Sequence, residues 1–110
     1  MESNLTSVKK MLGITEEYTA FDPELVIYIN SVFTTLHQLG VGPAEPYYIT
    51  DELNTWDEFV TTGSIESVKS YVYLKVRLIF DPPESSAVQT SFQEMAKELE
   101  WRMNVAVETP

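Results

Sequence analysis

The sequence predicts an all-α domain, a small bundle of three main helices with one or two short helices. Residues that begin and end helices recur along the chain, and the apolar residues between them repeat every 3.6 residues in three separate segments. Alternation typical of a strand occurs only in the short run 47–49. With 110 residues, 44% of them hydrophobic, the chain fits one domain over residues 1–110. Such a domain buries roughly two-thirds of its surface without disulfides or a metal.

A first short helix is predicted from about Leu5 to Leu12. Ser3 or Asn4 would cap its start, because a side-chain oxygen there accepts a hydrogen bond from a free backbone amide of the first turn. Gly13 would end it, since glycine readily adopts the left-handed conformation that commonly follows a helix.

A second helix is predicted between Asp22 and Gly40. Asp22 is expected to be the N-cap, and Pro23 suits the first helical position because no hydrogen bond is lost there. Six apolar residues fall within one arc of this helix, which indicates a face turned to the core. They are Leu25, Ile29, Val32, Phe33, Leu36 and Leu39.

A long loop is predicted from residue 41 to about Asn54, because its glycine and proline residues exclude regular structure. Loops of this length are often functional or disordered, and we expect this one to be mobile in the free chain. A short helix follows. Thr55 is its expected N-cap, Glu58 stands at capping-box spacing, and Gly63 is expected to end it.

A third helix is predicted from a cap at Ser64 to about Phe80, where the run Asp81-Pro82-Pro83 stops it. Its apolar arc exceeds half of the circumference, which one neighbouring helix cannot cover. The residues that widen the arc are Tyr71, Tyr73, Leu78 and Phe80. Either this helix is the central one of the domain, or another subunit buries one of its flanks.

The last helix is expected to be capped by Ser85 or Ser86, with Gln89 at capping-box spacing from Ser86. One face carries a near-heptad apolar stripe. The stripe consists of Val88, Phe92, Met95, Leu99 and Met103. Trp101 lies about 180° from Phe92, on the side expected to meet water. Residues 105–110 lack a helical pattern and are expected to form a flexible tail.

The charge is strongly negative and unevenly placed. Seven Lys and Arg residues face 17 Asp and Glu residues, for a net charge of -10, and no cation lies between Met11 and Val68. Binding to nucleic-acid phosphates or anionic lipid is therefore disfavoured. The acidic segment has two interpretations. It is a solvated face, or it is a surface that faces either basic partners or DNA that slides past it. No stretch is apolar enough for a membrane span, and no signal-peptide pattern opens the chain, so no membrane partner is expected.

The residue inventory argues against an enzyme. Cysteine is absent and His37 is the one histidine, so thiolate and histidine metal sites lack ligands. The pair Asp51-Glu52 cannot start a calcium loop, because Leu53 stands where an oxygen ligand is needed. We therefore predict no catalytic, cofactor-binding or metal-binding residue and no cofactor.

An interaction protein remains, and exposed aromatic residues are its expected contacts, since they dominate binding hot spots. Tyr47 and Tyr48 in the loop and Trp101 on the last helix lie where a core does not need them, although each is equally compatible with packing on its own chain. The full set of predicted contacts is Tyr47, Tyr48, Tyr71, Tyr73, Leu78, Phe80 and Trp101.

Several pieces of the sequence resemble one protein family in the same order. In the second half they are Val68-Lys-Ser-Tyr-Val-Tyr-Leu-Lys-Val-Arg-Leu-Ile-Phe-Asp-Pro-Pro83, Ser85-Ser86 and Lys97-Glu-Leu-Glu-Trp-Arg-Met-Asn104. In the first half they are Leu12-Gly13-Ile14, Ile29-Asn30-Ser31, Leu39-Gly40-Val41-Gly42 and Trp56-Asp57. Together, from about Lys10 to Asn104, they resemble the head–tail connector (adaptor) proteins of long-tailed phages that infect Gram-positive bacteria.

The resemblance implies a structural virion protein at the head–tail junction, assembled in the cytoplasm of the bacterial host. It implies a ring of identical subunits, typically twelvefold, beneath the portal protein. Such a ring extends the DNA channel, so DNA only passes through it, and offers a surface to the next connector or tail-completion protein. None of the matching pieces is a catalytic signature.

A second function fits the charge alone: a small acidic interaction protein, or a DNA-mimic regulatory protein of a phage or prophage, that occupies a basic groove. Such a protein would carry acids at regular spacing along one helix face. Here the acids fall largely in loops and at helix starts, where they act as caps or favour the helix dipole.

Overall fold

The computed structural model describes residues 2–60 and 65–108 and confirms the all-α prediction. The four α-helices are α1 (Asn4–Met11), α2 (Asp22–Gln38), α3 (Ile65–Phe80) and α4 (Ser86–Glu108). A single 3₁₀ turn, Trp56–Glu58, precedes α3. The described ranges contain no strand, and the run 47–49 is irregular. An isolated antiparallel β-bridge joins Ser3 to Thr55.

Helix α3 is the central helix, as the first of the two interpretations predicted. It packs against α2 and α4, and α1 packs against α2 and α3. The end of α3 meets the start of α2, where the Phe80 and Phe21 rings are 5.1 Å apart. The ends of α2 and α4 meet where Asn104 donates a hydrogen bond to the Leu39 carbonyl at 3.3 Å. The molecule measures 42 × 35 × 19 Å, a flat layer about two helices thick.

Of the two predicted caps of α1, Ser3 fills the role, because its hydroxyl accepts a hydrogen bond from the Thr6 amide at 3.2 Å. The predicted N-cap of α2 is wrong: Phe21 occupies that position, and Asp22 is already helical. The Asp22 carboxylate instead lies 3.0 Å from the ammonium of Lys9, a side chain only 3% exposed. A buried cation needs a charged partner more than a helix end needs a side-chain cap, since water and neighbouring groups also satisfy end amides.

The core consists of one face of α2, one face of α3 and the segment that joins them, together with buried residues of α1 and α4. Five of the six stripe residues predicted in α2 are buried, and Leu39 is partly buried. Trp56 is fully buried and donates its indole N–H to the Ser7 hydroxyl at 2.9 Å. Its ring lies 6.1 Å from that of Phe33, which also contacts Phe59 at 4.6 Å.

The segment 41–54 is an ordered loop held against α2. The side chain of Asn30 clamps Ile49: its amide donates to the Ile49 carbonyl at 3.0 Å, and its oxygen accepts from the Ile49 amide at 2.7 Å. The Asn54 side chain accepts from the Thr50 amide at 2.8 Å. These bonds fasten the loop within a single chain, so we expect it to be less mobile than its composition alone predicts.

The 3₁₀ turn begins as predicted, because the Glu58 carboxylate accepts the Thr55 amide at 3.2 Å. The expected end at Gly63 and the expected α3 cap at Ser64 lie outside the described residues.

Helix α4 is longer than predicted. Of the two candidate caps, Ser85 fills the role, since its hydroxyl accepts a hydrogen bond from the Val88 amide at 3.3 Å. Gln89 forms no capping box, because its side-chain amide donates to the Pro83 carbonyl at 2.6 Å. Residues 105–108, expected to belong to a free tail, continue the helix against the end of α2.

Candidate interaction surfaces

The two loop tyrosines lie in different environments. The ring of Tyr47 packs on Phe33 and Phe59 at 5.2 and 5.5 Å, and its hydroxyl donates to the Glu58 carboxylate at 2.8 Å. Burial and this carboxylate raise the pKa of Tyr47, and the same hydrogen bond lowers the pKa of Glu58. Tyr48 points outward with 56% of its surface exposed. Tyr47 therefore fastens the loop, whereas Tyr48 is available to a partner.

The two α3 tyrosines also differ. Tyr71 is fully buried and donates its hydroxyl to the Glu100 carboxylate of α4 at 2.7 Å. Burial and this carboxylate raise the pKa of Tyr71. Tyr73 is partly exposed, packs 6.4 Å from the Phe92 ring and accepts a hydrogen bond from Arg77 at 3.2 Å. Tyr71 thus joins α3 to α4, and Tyr73 reaches the surface between them.

Phe80 belongs to an aromatic cluster at one end of the molecule. Its ring lies 5.1 Å from Phe21 and 6.5 Å from Tyr28, and Phe21 lies 5.5 Å from Tyr18. We call these four residues the end patch. Tyr18 is 50% and Phe21 is 37% exposed. Leu78, on the same helix as Phe80, is partly exposed. Sequence reasoning missed Tyr18, Phe21 and Tyr28, because the patch forms only where the start of α2 meets the end of α3.

Trp101 is 67% exposed on α4. Its position agrees with the helical periodicity, which placed it on the face turned away from α3. Glu94, Lys97 and Glu98, seven, four and three residues earlier, are its neighbours on the helix surface. This indole is a large apolar group in a polar surrounding.

A groove of about 390 Å³ runs between α3 and α4 and reaches the end of α1; we call it the α3–α4 groove. Its apolar lining consists of Met11, Tyr73, Leu74, Phe92, Met95 and Leu99. Met95 is 50% and Met11 is 41% exposed. Glu98 and Arg102 form part of its wall and pair with each other at 2.7 Å. The predicted stripe of α4 is therefore only partly covered by its own chain, and Met11 is a lining residue that periodicity within α4 did not reveal.

The acidic segment between Met11 and Val68 supplies many local structural partners. Asp51 accepts the Leu53 amide at 2.9 Å, and Asp57 accepts the Thr55 hydroxyl at 2.5 Å. Glu66 lies 3.8 Å from Lys69 in the next turn of α3. No cluster of three or more His, Asp or Glu side chains suited to a metal ion occurs in residues 2–60 and 65–108. Over the same ranges, none of the helices has the length and apolar character needed to cross a membrane.

Comparison with known proteins identifies one family. The model of a family described as "Phage connector protein" matches residues 5–110. No curated protein matches the chain, and neither does any solved structure. Since the family match runs from the first turn of α1 through the whole of α4, this chain belongs to the phage connector protein family.

Proposed function

We propose that this connector forms a ring between the portal protein and the tail of a long-tailed phage, with twelve subunits in the virion, and extends the channel through which DNA passes. The observation that carries the proposal is the family match over residues 5–110, which indicates a structural connector of the phage particle. The shape of the subunit supports it. A flat layer with apolar surface on several sides can contact two neighbours and two successive components at once.

The proposed contact residues are those of the predicted set that reach the surface. Trp101 and Tyr48 are the most exposed of them, Tyr73 lines the α3–α4 groove, and Phe80, with Leu78 nearby on the same helix, belongs to the end patch. Tyr47 and Tyr71 support these surfaces from within the subunit. We propose the groove and Trp101 for subunit contacts, and the end patch and Tyr48 for the portal and for the next connector or tail-completion protein.

The charge supports a channel function. A wall that contains the cation-free segment between Met11 and Val68 would repel phosphates, so DNA would slide without binding. The alternative, an acidic DNA-mimic protein, would need its carboxylates free on one face. Here Asp22, Asp51, Asp57 and Glu58 bond to groups of their own chain, which favours the connector.

The test is assembly on the portal protein encoded in the same phage or prophage genome. Purified chain and portal are mixed and studied by native mass spectrometry and electron microscopy. The proposal expects a closed ring of this chain stacked on the portal ring. A chain that stays monomeric with portal present would contradict it, and binding of the chain to a basic host enzyme instead would support the acidic regulatory protein.

A further inference from the structure

We propose that Trp101 of one subunit inserts into the α3–α4 groove of a second copy of this chain, and that this contact, repeated head to tail, closes the ring. The inference rests on the proposed ring function and names the surfaces that would form its subunit interface.

The groove has the size and chemistry of a receptor for an aromatic side chain. Its volume of about 390 Å³ lies in the range of small ligand pockets. Met11 and Met95 form part of its lining, and methionine adapts to irregular shapes and makes favourable sulfur–aromatic contacts. Tyr73 and Phe92 add aromatic surface. Both methionines keep about half of their surface exposed, so the subunit does not fill this groove with its own residues.

Trp101 and the apolar residues that α4 contributes to the groove lie on opposite sides of this helix. Leu99 lines the groove, and Trp101 follows it by two residues, which is about 200° around an α-helix. Trp101, which is 67% exposed, therefore points away from the apolar lining of the groove in its own subunit, although Glu98 of the groove wall lies one turn before it. Two different complementary surfaces on opposite flanks give a heterologous contact, which repeats from subunit to subunit and closes into a ring when the rotation allows.

The charges beside each of the two surfaces balance. Trp101 shares its face with Glu94 and Lys97, and the groove wall carries Glu98 and Arg102. Glu98 and Arg102 pair with each other at 2.7 Å, and Glu94 and Lys97 carry opposite charges, so neither surface adds net charge in a chain whose net charge of -10 otherwise opposes self-association. The Arg102 guanidinium can also lie against the inserted indole, and tryptophan is the best aromatic partner for a cation.

The first experiment mixes two variants, each of which lacks one half of the contact. Trp101→Ala removes the inserted side chain, and Met95→Asp places a charge in the groove. Each alone should weaken subunit association roughly 30-fold, as for loss of a hot-spot residue of about 2 kcal/mol, and should form no ring on the portal. Their mixture should give a one-to-one dimer by sedimentation, because one intact tryptophan then meets one intact groove and the chain cannot extend.

The second experiment uses the absence of cysteine from the sequence. Lys97→Cys with Ser70→Cys, on the Trp101 face and in the groove, should give a ladder of disulfide-linked subunits when the portal-bound assembly is oxidised. The matched control is Lys97→Cys with Ser31→Cys, on the exposed side of α2, and should give no ladder. All four variants carry surface substitutions, so unchanged circular dichroism would show that each is folded.

The outcomes separate this inference from the proposed function. If the unsubstituted chain forms no ring on portal, the ring function fails. If it forms a ring and Trp101→Ala and Met95→Asp form the same ring, the ring function stands and the tryptophan–groove contact is wrong. A control ladder equal to the Ser70 ladder would also overturn the contact.

Discussion

Trp56 and Trp101 are the two tryptophans of the chain, and their environments are opposite. Trp56 is fully buried and bonded to Ser7, whereas Trp101 is 67% exposed. Trp56→Ala should lower the free energy of unfolding by about 3–5 kcal/mol, because it leaves a core cavity. Trp101→Ala should change it by no more than about 0.5 kcal/mol, as at most surface sites. Urea unfolding of both variants checks this, and equal losses would place Trp101 in the core.

Because of Tyr47 and Tyr71, we expect the folded chain to lose stability at high pH. Burial, with the carboxylates of Glu58 and Glu100, raises the pKa of both phenols above the ordinary 10.0. The unfolded chain then releases these protons near pH 10 while the folded chain retains them, so the free energy of unfolding falls as pH rises above 10 and is unaffected below it. Denaturant unfolding at pH 8 and pH 11 measures the fall.

The matched variants identify the tyrosines responsible. Tyr47→Phe and Tyr71→Phe should each reduce the fall between pH 8 and pH 11, whereas Tyr48→Phe, which alters an exposed side chain, should leave it as in the parent chain. A fall that is the same in all three variants would assign the alkaline loss to other groups.

Side-chain roles that depend on residues nearby in the sequence were predictable. Roles that depend on residues far away in the sequence were not. The Ser3 cap and the Thr55–Glu58 pair involve residues within one turn, so spacing alone identifies them. The role of Asp22 depends on Lys9, which reaches it from the end of another helix. The outward direction of Trp101 followed from periodicity, but the groove needs three helices and could not be found within one.

At the scale of elements, the loop 41–54 depends on Asn30 of α2. The Asn30 side chain satisfies both backbone groups of Ile49, a residue only 1% exposed. Asn30→Ala would leave a buried donor and a buried acceptor without partners, and should cost about 2–4 kcal/mol in unfolding free energy. Hydrogen exchange should show the Ile49 amide protected in the free parent chain and exposed in the variant. Rapid exchange of the Ile49 amide in the parent chain would instead support the mobile loop that was expected from composition.

At the same scale, Gly42 should tolerate a larger side chain poorly. It has φ +96°, and an added Cβ would lie 2.5 Å from the Phe59 ring. Gly13 has φ +81° and open space around the same position. Gly13→Ala should therefore cost only the backbone strain, about 1–2 kcal/mol. Gly42→Ala should cost more, because Phe59 must also move. Thermal unfolding of the two variants measures the difference, and equal costs would mean that Phe59 yields freely.

The helices themselves were predicted nearly to their ends, because their stop signals are local. Gly13 stands two residues after the end of α1. The Asp81-Pro82-Pro83 run follows directly after the end of α3. The extension of α4 to Glu108 was missed because it is a tertiary effect: Asn104 bonds to Leu39 and holds the last turns against α2. The mobile loop was predicted from composition for a similar reason. The side chain that holds Ile49 belongs to Asn30, which lies 19 residues earlier in the sequence.

At the scale of the whole molecule, charge should govern assembly. Each subunit carries a net charge of -10, so neighbours in the proposed ring repel one another at low ionic strength. Salt screens that repulsion, while an apolar tryptophan–groove contact is little affected. The fraction of rings on portal should therefore rise between about 0.02 and 0.2 M NaCl, as measured by light scattering. Rings that dissociate over this range would instead indicate an interface held by charge pairs.

Helix α4 has a further property that follows from the flatness of the molecule. It packs mainly on α3, and of its described residues only Ala96 and Met103 are fully buried, whereas α2 and α3 each bury five. Because α4 contributes fewer buried residues than α2 or α3, we expect the free subunit to open in two stages, α4 first. Neighbours that cover both flanks of α4 would remove the early stage. In the proposed ring, assembly would then make unfolding a single cooperative event, and the subunit would gain resistance to unfolding without any change in its fold.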